Sequence, residues 1–245
     1  MKPKISIITV SYNAEAHIED AIKSVLEQSY QNKEYIIIDG GSKDRTLSII
    51  SKYKDKIDVL ISESDNGISD AFNKGITHAT GDIIGICNAD DMLVDNALLY
   101  IADDYADGID IFRFQEYIYN PFSGEKKLIK PTNLPAIPIQ KHLLHMGCWI
   151  KKDAFEKYGY YDINFKYCMD YELLRRFISK GAKQKFCNKP VGIFRLGGVS
   201  QSNPHAVETE KKIICKRYGG GIFGAYIWIY YDRIKSFVKK VIVKN

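Results

Sequence analysis

Four short apolar runs, each closed by polar residues or glycine, punctuate the first ninety positions of the chain. Ile5–Val10, Glu34–Asp39, Ile57–Ile61 and Asp82–Cys87 have the length and β-branched content of buried strands. Between them the apolar positions change period. Ala14, Ile18, Ala21, Ile22, Val25 and Leu26 fall on one face of a helix spanning Ala14–Gln28, and Asp44–Tyr53 and Ile68–Ala79 suit two more. Continuous apolar strands alternating with helices predict an α/β fold, a mostly parallel sheet covered on both faces. Right-handed crossovers then bring the ends of these strands, with Ser11, Asp39 and Asp90, to the one edge where such sheets bind ligands.

Beyond Asp95 the pattern loosens. Ala97–Tyr105 reads as a helix, and Ile109–Tyr119 with Lys126–Ile129 as an antiparallel pair turning at Pro121-Phe122-Ser123-Gly124. Residues 131–145 carry Pro131, Pro135 and Pro138 and read as a loop with a short helical end. Gly147–Lys151 suits a strand, Tyr171–Ser179 a helix, and Phe186 and Val191–Phe194 further strands. A single domain over residues 1–218 is expected, with a tail at 219–245. In that tail, aromatic and aliphatic residues from Ile222 to Tyr231 interleave with and precede Arg233, Lys235, Lys239, Lys240 and Lys244. This composition fits an amphipathic helix on an anionic inner-membrane surface, or equally a helix packed on its own domain or in a dimer interface.

Composition narrows the class. At 245 residues, 45% hydrophobic and 27% charged, the chain is a folded domain and neither disordered nor multi-spanning. A net charge of +5 gives no indication of nucleic-acid binding. Five scattered cysteines, none at C-x-x-C spacing, point to free thiols rather than zinc or disulfides. The six-residue apolar run after Lys4 is too short for a signal peptide, so a cytoplasmic location is expected.

Carboxylates dominate the candidate chemistry. Asp39-Gly40-Gly41-Ser42 and Asn88-Ala89-Asp90-Asp91 close the second and fourth strands. Each is also a sequence that turns favour. Adjacent carboxylates repel unless a cation accompanies them, and oxygen donors suit Mg²⁺ or Mn²⁺ shared with substrate phosphates. Ser11-Tyr12-Asn13-Ala14-Glu15 stands where a dinucleotide glycine motif would be, and neither a phosphate loop nor a serine nucleophile elbow is present.

With Ser6–Asn13, Ile38–Thr46, Ser62–Gly75, Asn88–Asp91 and Met169–Glu172 in this order, residues 4–200 resemble the family 2 glycosyltransferases, which have the GT-A nucleotide-diphospho-sugar transferase fold. The nearest likeness is to bacterial enzymes of surface-polysaccharide synthesis. The resemblance implies an inverting, metal-dependent transferase moving a sugar from a nucleoside-diphosphate donor, UDP-linked, to a hydroxyl of a glycan or lipid-linked acceptor. It implies that Asp39 reads the nucleobase, with the backbone around Thr9, Val10 and Tyr12 completing the base slot and Tyr12 offering a ring face. A carboxylate accepts hydrogen bonds only; uracil and thymine offer it an N3–H, cytosine does not, and the ring N–H groups of guanine leave a GDP-sugar open. Asp90 is the expected metal ligand and Asp91 its helper; Asn88, which departs from the usual D-x-D, is expected to bind the nucleotide sugar through a ribose hydroxyl and adds no charge to the cation. Asp70 and Lys74, a surface i,i+4 pair if taken alone, are expected at the donor. Asp170 is the expected general base; acidic residues in a first helical turn also oppose the helix dipole without further purpose. His145, Trp149 and Glu172 are expected on the acceptor side, and Gly197-Gly198-Val199-Ser200 resembles a loop near the diphosphate. A sugar nucleotidyltransferase or an inactive membrane-associated sugar-nucleotide binder are the competing readings.

Overall fold

The computed structural model describes residues 2–132, 145–197 and 203–218. The tail at 219–245 and the loop residues 198–200 lie outside the described residues. Strands β1 (Ile5–Ser11), β2 (Lys33–Asp39), β3 (Val59–Ser62) and β4 (Ile83–Ile86) are parallel, in the spatial order β3-β2-β1-β4. Helices α1 (Ile18–Leu26), α2 (Thr46–Ser51) and α3 (Ile68–His78) connect them. Every side chain of β1 is buried. Ile8 and Val10 face a core shared with Phe72 and Ile76 of α3, whereas Ile5 and Ile7 face one shared with Ile18 and Ile22 of α1. Two buried faces explain why these strands read as unbroken apolar runs.

A mixed half extends the sheet past β4. It holds β5 (Met92–Leu93), β6 (Ile111–Tyr119), β7 (Lys126–Ile129), β8 (Cys148–Lys151) and β9 (Gln184–Arg195), in the order β4-β8-β6-β9-β5 with β7 on β6. Helices α4 (Ala97–Asp104), α5 (Lys152–Tyr158), α6 (Met169–Ser179) and α7 (Pro204–Tyr218) pack around it. The β6–β7 pair is antiparallel as expected. The two late strand fragments are one twelve-residue strand, and α5 and α7 have no counterpart among the expected elements. No helix among the described residues is long and apolar enough to cross a membrane.

Two features of this sheet position the site. Ser11, Asp39 and Ser62 stand side by side in register at the ends of β1, β2 and β3. Antiparallel β8 pairs with β4, so that the residues just before Cys148 return to the end of β4. Gly85 permits this pairing, because it lies opposite Trp149 and a Cβ there would overlap the indole ring. Trp149 is fully buried and its ring is rigid, so Gly85→Ala is expected to cost about 1–3 kcal/mol in chemical denaturation.

Candidate active site

Asp39 does not present a free carboxylate. It is wholly buried, and both oxygens are occupied. Oδ1 accepts hydrogen bonds from the hydroxyls of Ser11 (3.0 Å) and Ser42 (2.5 Å). Oδ2 accepts from the Gly41 and Ser42 amides (3.0 and 2.9 Å) and the Ser62 hydroxyl (2.9 Å). These five donors tie the three strand ends to the Gly40–Ser42 turn and fix the carboxylate where the base slot is expected. The Thr9 and Val10 side chains turn inward, Thr9 against the Tyr35 hydroxyl at 2.9 Å and Val10 into the core, which is compatible with a base slot lined by their backbone. Tyr12, 65% exposed, keeps an open ring.

The Asn88–Asp91 segment divides its labour. Asp91 is buried and built into the fold: Oδ1 accepts the Arg195 amide at 3.0 Å and Oδ2 the Asn88 amide group at 3.2 Å. Burial and the adjacent Asp90 charge raise its pKa to about 7, against the Arg195 N–H, His145 and Asn88. Asp90 is half-buried, and among the described residues its main-chain oxygen is engaged by Arg195 Nε while its carboxylate accepts no hydrogen bond. Asn88 Oδ1 is buried without a hydrogen-bond partner. Among the described residues no three His, Cys, Asp or Glu converge as a metal cage. Asp90 with the orphaned Asn88 oxygen does suit a hard ion that takes its remaining ligands from phosphates and water.

Asp70 and Lys74 brace the turn ahead of α3. Asp70 accepts the Asn66 amide at 2.9 Å, and Lys74 pairs with Glu63 at 2.7 Å and donates to the Ser64 carbonyl at 3.2 Å.

Asp170 stands in the first turn of α6, whose entry is fixed by Glu210 of α7. That carboxylate accepts the backbone N–H groups of Lys166, Tyr167 and Cys168. Asp170 Oδ2 pairs with His145 Nδ1 at 2.9 Å, and Oδ1 is buried without a hydrogen-bond partner among the described residues. The imidazole stacks on Phe72, its Nε2 also unpartnered. Burial alone would lower the His145 pKa; the charge and hydrogen bond of Asp170, aided by Asp91 and Glu116, outweigh it and raise it to about 9. Through this one ring Asp170 is connected electrostatically to the Asp90–Asp91 end of β4. A small cavity with room for about one water lies against His145, Cys148, Tyr161 and Asp170.

Two expectations for the acceptor side are corrected. Trp149 is 1% exposed, donates to the Met146 carbonyl at 3.2 Å and offers no ring face to a ligand. Glu172 is equally buried, paired with Arg176 at 2.9 Å and accepting from the Tyr218 hydroxyl at 2.6 Å, so that it fastens α6 to α7. Sequence reasoning also missed Arg113 and Glu116 on β6. Arg113 is buried with Nε and Nη2 unpartnered; Glu116 accepts the Gly147 amide at 2.9 Å, and burial raises its pKa to about 8. Their signal is a pair of charges inside an otherwise apolar strand, between and beyond Phe112 and Phe114.

These groups give stability a sign with pH. The native state holds the His145 proton up to about pH 9, whereas an unfolded histidine releases it near 6.5. The stabilisation, of the order of a few kcal/mol, is complete below about 6.5 and lost as pH rises through 9. Asp91 and Glu116, raised to about 7 and 8, act in the same direction. Melting temperature is therefore expected to fall from pH 6.5 to 9, with a shallower slope in His145→Gln; a level wild-type profile contradicts the ion pair.

The family model for glycosyl transferase family 2 matches residues 6–168. The chain belongs to this family. An uncharacterised glycosyltransferase of Rickettsia typhi is 30% identical over 189 residues, covering 72% of this chain and 59% of its own. The putative teichuronic acid biosynthesis glycosyltransferase TuaG of Bacillus subtilis is 40% identical over 93 residues, 37% of each chain. The chain thus spans about three fifths or less of these relatives. Among solved structures, Staphylococcus aureus TarS 1–349 in complex with UDP-GlcNAc superposes with a TM-score of 0.64 at 15% identity, covering 91% of this chain and 69% of that one. The Pyrobaculum calidifontis mannosyltransferase PcManGT, in complex with GDP-Man and Mn²⁺, gives 0.63 at 16% identity, over 85% and 60%. These place the transferase in the GT-A fold.

Proposed function

We propose that this transferase moves a sugar from a UDP-linked donor to a hydroxyl of a glycan or lipid-linked acceptor in cell-surface polysaccharide synthesis, inverting the anomeric carbon. The observation that carries this reading is the state of Asp170. One oxygen is held by His145, and the other, beside the buried Tyr161 hydroxyl, is within hydrogen-bond distance of no donor among the described residues. An unpaired buried oxygen of this kind costs about 1–3 kcal/mol, which a donating hydroxyl recovers. Asp170 Oδ1 takes the acceptor's proton as the hydroxyl oxygen bonds to the anomeric carbon, and the bond to the diphosphate oxygen breaks with its electron pair. Attack opposite the leaving group inverts the carbon. His145 keeps the carboxylate oriented, its own N–H directed at Oδ2.

Asp90 and Asn88 would hold Mg²⁺ or Mn²⁺ together with donor phosphates, and the ion supplies Lewis-acid neutralisation of the diphosphate. The complex of PcManGT with GDP-Man and Mn²⁺ supports that reading, as the complex of TarS with UDP-GlcNAc supports a uridine donor. The likeness to TuaG, a putative teichuronic acid biosynthesis enzyme, supports the surface-polysaccharide setting. The basic, aromatic residues 219–245 form a peripheral contact with the inner membrane face in this proposal.

Thermal shifts with UDP-, GDP- and dTDP-sugars, with and without Mn²⁺, test the donor assignment. A ligand bound only by the folded state raises the melting temperature. UDP-sugars are expected to raise it most, more so with Mn²⁺, and Asp90→Asn to remove the Mn²⁺ increment. If no sugar nucleotide shifts the transition, the donor site is wrong.

A further inference from the structure

The β6–β7 hairpin leaves the sheet at the edge that carries the site, and it ends in an aromatic residue that nothing covers. Tyr119, the last residue of β6, pairs with Arg195, whose Nε holds the Asp90 carbonyl at 3.1 Å. The tip therefore projects from the same edge as the proposed metal site. Phe122, at that tip, is 92% exposed, more than any other large apolar side chain among the described residues. Its turn is well defined. The Asn120 carbonyl accepts the Gly124 amide at 2.9 Å, the Asn120 side-chain oxygen accepts the Phe122 amide at 3.0 Å, and Gly124 takes a φ of +69°. A lone exposed ring is ordinary; its surroundings here are not. Leu128 is also exposed, and Lys126, Lys127 and Lys130 stand beside it against the single acid Glu125. None of the three lysines pairs with a carboxylate among the described residues, and Lys126 lies over the Tyr117 ring at 4.2 Å.

The geometry points to this hairpin as a membrane-docking finger: Phe122 enters the headgroup layer of an anionic bilayer, and Lys126, Lys127 and Lys130 meet its phosphates. An aromatic ring gains by burial at that depth, while lysines are drawn to the negative surface and keep their charged ends in water. Charge decides the occupant. A second copy pairing along β7, which has no outer neighbour among the described residues, would set lysine against lysine. An apolar pocket on another protein would take the ring and leave the lysines without counter-charges. Docked in this way, the catalytic edge faces the bilayer, the side from which a lipid-linked acceptor arrives. The contact follows from the hairpin alone; its use in bringing such an acceptor to the site rests on the acceptor reading above.

Phe122→Trp in the full chain, with Trp228→Phe, tests the contact locally, because the one other indole is Trp149, 1% exposed. On vesicles of equimolar phosphatidylglycerol and phosphatidylcholine its emission is expected to shift to the blue and to be quenched by brominated acyl chains. On phosphatidylcholine alone neither effect is expected. In co-sedimentation with the anionic vesicles, Phe122→Ser is expected to weaken binding about five- to tenfold, and the pair Lys126→Glu and Lys127→Glu at least about tenfold. Both variants should melt with wild type, since the changed side chains are exposed. Vesicle binding that leaves the Phe122→Trp emission unshifted overturns the finger and assigns the contact to residues 219–245. A blue shift that grows with protein concentration and needs no lipid overturns it in favour of a second copy. Equal binding to neutral vesicles overturns it too, since the lysines then contribute nothing. Binding to no vesicle overturns the tail's membrane contact as well. A finger that docks while transfer is confined to soluble glycans upholds the contact and overturns only the lipid-linked acceptor.

Discussion

Asp170→Asn is expected to lower sugar transfer by about 10²–10⁴-fold, the usual worth of a positioned general base. Asparagine preserves the shape and can still accept the His145 Nδ1–H through its carbonyl oxygen. It cannot take up the acceptor's proton. Donor binding should persist, because Asp170 lies on α6 and the proposed base slot lies at the ends of β1 and β2. The decisive comparison is therefore UDP release against UDP affinity in the same variant. A second readout follows from the electrostatics. The charge and hydrogen bond of Asp170 are the leading causes that raise His145 to about 9 against its burial. Without them the imidazole should titrate well below that value, as followed by NMR. Transfer within about threefold of wild type would remove Asp170 from the chemistry, far less than a lost base costs. Turnover lost together with UDP binding would instead indicate collapse of the site, and the competing binder reading would then need only the donor slot.

The parallel half of the fold was legible because both sheet faces are buried, which makes strands continuous in sequence and helices amphipathic between them. The later half was less so for identifiable reasons. β9 reads as two fragments because Asn188-Lys189-Pro190 interrupts its apolar pattern; in the structure the pairing with β6 shifts register there, between Arg113 and Gln115 and again before Glu116, and so accommodates a residue with no N–H. α7 buries only Ile214 and Cys215, and it is fixed through Glu210 and the Tyr218 hydroxyl to segments more than forty residues away. No local periodicity carries that information. In the site, Asp90 was legible as a carboxylate at a strand end, whereas His145 and Asp170 stood out only through the family resemblance. What a sequence does not carry is whether a carboxylate's lone pairs are already spent. Asp39 and Asp90 are both aspartates at strand ends; only the convergence of Ser11, Ser42 and Ser62 on the first distinguishes them.

That distinction predicts a second large effect, on stability rather than on rate. Asp39→Ala is expected to destabilise the fold by about 3–5 kcal/mol in urea denaturation. It strands the buried hydroxyls of Ser11 and Ser42, the more exposed hydroxyl of Ser62 and two backbone amides; each buried donor is worth about 1–3 kcal/mol if left unsatisfied, though rotation of the serines and entry of water recover part. Asp39→Asn should cost less, since its carbonyl oxygen still serves one set of donors while its amide group opposes the other. Ser62→Ala, which removes one donor and leaves four, should cost only about 1 kcal/mol. If Asp39 holds the strand ends, these losses rank by the number of stranded donors; an Asp39→Asn variant that melts like wild type makes the five hydrogen bonds dispensable to the fold.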